Sequence, residues 1–182
     1  MKEFLSLISK PVRYLGREIN SIRKDPSEVR LKFCLAFPDV YEVGMSHLGI
    51  QILYHILNSK NGVACERVFA PWVDMEKVLR GKGIPLSSLE SSTPLHQFDI
   101  LGFSLQYELC FTNVLNMLDL SNIPLFSRDR DERFPLIIAG GPTAFNPEPV
   151  ADFFDAIVIG DGEEAVLEIC DVALQWKESH GK

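Results

Sequence analysis

Four polar clusters in this 182-residue chain each follow a short apolar run, and their residue types suit ligand binding better than bond breaking. The first is Pro38-Asp39-Val40-Tyr41-Glu42-Val43-Gly44, directly after Leu31–Phe37. The second is Ser104 with Gln106, followed by Tyr107 and Glu108. A hydroxyl and an amide there can hydrogen-bond a ligand that enters from a sheet edge. The third is Gly140-Gly141-Pro142, where paired glycines let backbone approach a ligand or adopt positive φ, and a simple tight turn explains them equally well. The fourth is Gly160-Asp161-Gly162-Glu163-Glu164, in which Asp161 and Glu164 fit an N-cap and capping box. No Ser-His-Asp or Cys-His arrangement emerges from the spacing, and neither GxxxxGK[ST] nor GxGxxG is present.

The elements that position these clusters follow from periodicity. Leu31–Phe37, Ala64–Ala70, Asp99–Leu105, Pro135–Ala139 and Ala156–Ile159 read as five strands. The last three are apolar on both faces, as strands of a covered parallel sheet are. Helical stripes lie between them at Ser46–Asn58, Asp74–Arg80, Phe111–Leu120 and Gly162–Lys177. The connection Pro142–Asp155 has three prolines and admits only a short helix near Val150–Phe154. Alternating strands and helices predict a five-stranded parallel α/β sheet in the flavodoxin-like, Rossmann-like order 2-1-3-4-5. All four clusters then fall at the carboxyl ends of strands, where ligands of open α/β sheets sit. His47, in the first turn of the first helix, lies near them.

Residues 1–30 precede the sheet and read as a helical extension broken at Pro11 and ended near Asp25-Pro26, leaving 31–182 as the α/β domain. Residues 1–32 carry eight Lys/Arg against four acids, a net +4 that leaves −11 for the remainder of a chain of net charge −7. Such an arm is an amphipathic solvated helix or a contact for nucleic acid or another domain. The four cysteines, Cys34, Cys65, Cys110 and Cys170, are too widely spaced for a zinc or cluster motif. With 46% hydrophobic residues, no apolar run near the ~20 needed to span a bilayer and no signal-peptide pattern, the expectation is a folded cytoplasmic protein without membrane contact.

Three of the clusters resemble the motifs of cobalamin-binding domains. Asp39-x-Tyr41-x-x-Gly44 is similar to the DxHxxG signature, with Tyr41 in place of His; Ser104-Leu105 and Gly140-Gly141 are similar to the later Ser and glycine motifs. Beyond these, RYLGREIN, FPDVYEVGMSHLGIQILYHILN, PWVDMEKVLR, FDILGFSLQYEL, TNVLNMLDLSNIPL and AGGPTAFNPEPVADFFDAIVIGDGEE resemble the N-terminal domain of a family of cobalamin-domain radical SAM proteins, from Arg13 to Glu164. The resemblance implies cobalamin held base-off, since Tyr41 stands where the axial His would be and a neutral phenol is a poor cobalt ligand. His47 is the alternative axial group. It implies cofactor contacts from Asp39, Tyr41, Gly44, Ser104, Gln106, Gly140, Gly141, Pro142, Gly160 and Glu163. It also implies a radical SAM barrel as the partner that follows, carrying S-adenosylmethionine and a [4Fe–4S] cluster. This chain has no CxxxCxxC for such a cluster, so it reads as a module rather than a complete catalyst. The alternative is a degenerate domain of the same fold that binds no cobalamin and docks substrate or positions the barrel.

Overall fold

A computed structural model describes residues 2–180, with side chains from Leu5 onward. Five strands, β1 (Leu31–Phe37), β2 (Val63–Phe69), β3 (Ile100–Ser104), β4 (Leu136–Gly140) and β5 (Ala156–Ile157), pair in the order β2-β1-β3-β4-β5. Every pairing is parallel. The sheet is therefore the expected flavodoxin-like arrangement, and each strand lies within two residues of its expected ends. The register sets Phe33 opposite Ile100 and Ile100 opposite Leu136, so the strands end along one common edge.

Side-chain alternation splits the core into two layers. Cys34, Ala36, Leu101, Phe103, Ile137 and Ala139 face α3 (Val73–Lys82) and α4 (Phe111–Leu120). Leu31, Phe33, Leu35, Ile100 and Ile138 face α2 (Leu48–Ser59) and α5 (Gly162–His180). Helix α2 presents Ile50, Tyr54 and Leu57 at helical spacing, and α5 presents Val166, Cys170 and Leu174. A single turn, α1 (Tyr41–Gly44), precedes α2. Gly83 ends α3 in the left-handed conformation at φ 61°, its N–H donating to Arg80 O. All four cysteines are buried free thiols. Among the described residues no helix is long and apolar enough to cross a membrane.

The N-terminal segment departs from the expected helices. It forms three 3-10 turns, Lys2–Leu7, Pro11–Tyr14 and Pro26–Glu28, joined by non-helical chain. Pro11 and Pro26 open turns rather than break a helix, because proline fixes φ and needs no donor at a first turn. The segment straps onto the body through its charges. Arg13 is buried and pairs with Glu42 at 2.8 Å, with its guanidinium over the Trp72 ring. Lys24 Nζ donates to Lys60 O and Val63 O, and Arg30 meets Glu178 at 2.6 Å. The backbone N–H of Ile22 donates to Tyr54 Oη, and Tyr41 O–H donates to Glu18 at 2.9 Å.

The strap and the loop after α3 together close the β2 edge. Arg67 of β2 is 5% exposed and Glu90 3%. Arg67 Nε donates to Glu90 Oε1 at 2.6 Å and its backbone N–H to Oε2 at 2.7 Å, while Leu89 N–H donates to Arg67 O. Glu18 adds a second carboxylate 3.3 Å from the guanidinium, which lies over the Tyr54 ring. The edge strand's backbone groups are thus satisfied internally and withheld from other chains. Burial raises the Glu90 carboxyl above its ordinary value, and Arg67 opposes that shift.

Two outcomes follow. Glu90→Gln leaves Arg67 buried with half its compensation and lowers unfolding free energy by about 3 kcal/mol in urea denaturation; an unchanged midpoint would show that the pair stabilises nothing. The four tyrosines also ionise late. Burial, reinforced by the bond to Glu18, raises Tyr41 to about 12. Tyr107, whose O–H donates to Asp39, is raised to about 12 chiefly by that bond. Burial raises Tyr14 and Tyr54. Raised phenol values stabilise the fold below the ordinary value of about 10, and this contribution is lost as pH rises through about 12. Phenolate absorbance in an alkaline titration should therefore lag the free amino acid and appear with unfolding.

Candidate functional site

A groove of about 490 Å³ opens at the carboxyl edge of the sheet and runs down between α2 and α5. Its floor is Phe33 and Leu35 of β1, Gly102 of β3 and Ile138 of β4. Leu53 of α2 and Val166 of α5 form its walls. Its mouth carries Ser104, Gln106, His47, Phe145, Asp161 and Glu163, with backbone from Gly140 to Pro142 and Gly160 to Gly162.

Glycine makes this space. Gly102 and Gly140 occupy positions in register with floor residues, where a side chain would point between the helices. A Cβ on Gly102 would stand 2.9 Å from the Phe33 ring, so Phe33 lies directly over it. A Cβ on Gly140 would meet only Val158, at 3.7 Å, and would otherwise project into the groove. Gly141 has a different duty. Its φ is 109°, and a Cβ there would lie 2.6 Å from Leu105 O. That close approach lets Leu105 N–H donate to Gly140 O at 2.7 Å, while Thr143 donates back to Leu105 O through its N–H and its hydroxyl. The loops after β3 and β4 are welded into one rim.

The polar groups of the mouth are only partly used by the protein. Gln106 Nε2 donates to Ser104 Oγ at 2.7 Å, which leaves the Ser104 hydroxyl proton for a ligand acceptor. At the start of α5 the expected capping box is absent: Asp161 and Glu164 make no side-chain hydrogen bond, and the first N–H groups of the helix have no side-chain cap. His47 caps α2, its Nδ1 accepting from Ile50 N–H at 3.4 Å. Ser46 Oγ donates to Val43 O, and the helix starts at Leu48, two residues after the expected Ser46. No group of three His, Cys, Asp or Glu among the described residues is placed to hold a metal ion.

The sequence-predicted residues divide into two groups. Ser104, Gln106, Gly140, Gly141, Pro142, Gly160 and Glu163 all line the groove. Asp39, Tyr41 and Gly44 do not. The turn α1 carries Tyr41 toward β2, where its ring packs edge-on against Phe69 at 5.5 Å and its O–H binds Glu18. Tyr41 borders a separate cavity of about 20 Å³ beside Arg13 and Tyr14, room for about one water. Gly44 is buried against Phe69, where a Cβ would come within 2.3 Å of the ring. Asp39 accepts from Val40 N–H and from the Tyr107 hydroxyl, which ties the loops after β1 and β3 together. Sequence reasoning missed Gly102 and Gly49 as groove residues. The signal for Gly102 was present, since an isolated glycine inside the strand DILGFSL marks a close approach.

Comparison with known proteins adds a family to this geometry. No curated protein matches the chain. The family model of radical SAM proteins, N-terminal, matches residues 49–182, nearly three quarters of the chain. That span holds α2 from its second residue, all six glycines that line the groove and the loops after β3, β4 and β5. The chain belongs to the family of N-terminal domains of radical SAM proteins.

Proposed function

We propose that this module holds cobalamin in the base-off form, with the nucleotide end of the cofactor in the groove between α2 and α5. The observation that carries the reading is the open slot beside Gly140, floored by Phe33, Leu35 and Ile138 and widened by Gly102. An aromatic base suits an apolar floor of this kind, because its burial removes both surfaces from water. A ribose and phosphate suit the mouth, where Ser104 offers a hydroxyl and the glycine backbones allow close approach. The base-off state fits the loop after β1, since Tyr41 is turned away and held by Glu18. Bound there, cobalamin would supply methyl transfer or rearrangement chemistry to the catalytic domain. S-adenosylmethionine and the [4Fe–4S] cluster belong to that domain, as the family implies.

The carboxyl edge also suits a neighbouring domain. Val43, Trp72, Val73, Leu109, Phe145 and Ile159 are exposed there, one or more after each strand. A catalytic barrel seated on this edge would cover them and enclose the mouth of the groove. A module that only positions the barrel is the second reading. It is favoured by Asp39 and Tyr41 being bound to the protein's own groups.

Gel filtration of the chain with hydroxocobalamin separates the two. Co-elution of the red cofactor is expected, and elution without it overturns the cobalamin reading in favour of the positioning one. Gly140→Val fills the slot without positive-φ strain, because Gly140 is not in the left-handed region. It should weaken binding roughly 100-fold, the equivalent of about 2.8 kcal/mol, while thermal stability stays near that of the parent chain.

A further inference from the structure

We infer that His47 binds the groove's ligand as a hydrogen-bond donor through Nε2 and does not act as an axial ligand to a metal; this rests on the cobalamin reading of the groove. His47 sits at the mouth with its ring 5.2 Å from that of Phe37. Its Nδ1 accepts the backbone N–H of Ile50. A backbone amide can only donate, so that nitrogen carries a lone pair and no proton. In a neutral imidazole the proton is then on Nε2. Among the described residues no other group hydrogen-bonds to the His47 ring.

The two ring nitrogens therefore have opposite assignments. Nδ1 is spent on the first turn of α2 and is packed beside Gly49, where an added Cβ would lie 3.3 Å from it. Nε2 carries a proton and offers no lone pair. To coordinate cobalt through Nε2, His47 would have to lose that proton or move it to Nδ1, and the second course breaks the cap of α2. A donor at this point matches an accepting oxygen of the ligand, such as a phosphate, ribose or amide oxygen. It shares the groove mouth with the Ser104 hydroxyl, so the ligand would be held by donors from the start of α2 and from the end of β3.

Two substitutions separate the cap from the donor. In His47→Asn the side-chain oxygen can cap the helix, but the side chain is too short to place a donor where Nε2 stands. In His47→Gln the amide nitrogen reaches the Nε2 position, but the cap is lost. Measured with hydroxocobalamin, the Asn variant should keep the parent's Tm and bind about tenfold more weakly, as loss of one hydrogen bond predicts. The Gln variant should bind within about threefold of the parent, with a Tm lower by about 2–4 °C. The electron paramagnetic resonance spectrum of the bound cofactor, reduced by one electron to cob(II)alamin, should show no splitting from an axial nitrogen in any of the three proteins. Nitrogen splitting in the parent that vanishes in both variants makes His47 an axial ligand and overturns the inference. Undiminished binding by the Asn variant also overturns it, while leaving the groove reading intact. Failure of the parent chain itself to bind hydroxocobalamin overturns the groove reading, and this inference with it.

Discussion

Side chains of a strand alternate between faces, so a glycine removes volume from one named side of a sheet. In this protein Gly102 and Gly140 remove it from the side that α2 and α5 cover. Deeper in that layer, Tyr54 and Leu57 of α2 and Cys170 and Leu174 of α5 are buried with Leu31 and Ile100. Toward the carboxyl edge β3 and β4 each lack one inward side chain, at Gly102 and at Gly140, and the first turns of both helices border a slot. Phe33, leaning over Gly102, fills part of the deficit and becomes the floor. The rest stays open. An apolar floor left open to water forgoes the burial that drives folding elsewhere in the core. A cavity that a single Cβ at Gly140 would begin to fill, in a core otherwise closely packed, is the feature on which the proposed function rests.

The slot needs rigid walls, and the N-terminal strap helps to provide them. Tyr54 accepts the Ile22 N–H and lies beneath the Arg67 guanidinium, so α2 is tied both to the strap and to β2. Glu18 joins the same cluster through Tyr41 and Arg67. The basic strap is matched to an acidic body, and Arg13, Lys24 and Arg30 spend their charges on it. This arrangement uses the loop after β1 as an anchor: Tyr41 and Gly44 face Phe69 and the strap, and Asp39 faces Tyr107. Polar residues at a strand's carboxyl end need not point into the ligand site; the turn that follows decides where they point.

That distinction explains which parts of the molecule were legible in the sequence. The strands were, because a parallel sheet covered on both faces leaves short runs apolar throughout, and Leu31–Phe37 begins and ends where its run does. So was Phe111–Leu120, whose apolar stripe gives way to the polar Ser121-Asn122. The strap was not. Its prolines announce first turns, but whether a turn propagates into an α-helix depends on tertiary partners such as Glu42 and Tyr54, which lie far along the chain. The absence of the capping box at Asp161 was equally hidden, since the residue types permit a cap that the side chains do not form. The groove loops after β3, β4 and β5 were readable because glycine and a strand end together constrain backbone position. Tyr41 was not, because a motif gives residue types and not side-chain directions.

The family match sharpens the same division. It begins at Gly49, after the Asp39-x-Tyr41-x-x-Gly44 loop, and runs through every residue from α2, β3, β4, β5 and α5 that shapes the groove. His47 lies just ahead of that span. The cobalamin reading proposed above therefore rests on the slot and its welded rim, while the loop after β1 holds the strap. A tyrosine where a cobalt-binding histidine would stand is then no defect in a site. It is a residue whose hydroxyl serves Glu18 and whose ring serves Phe69, in a loop that the groove does not use.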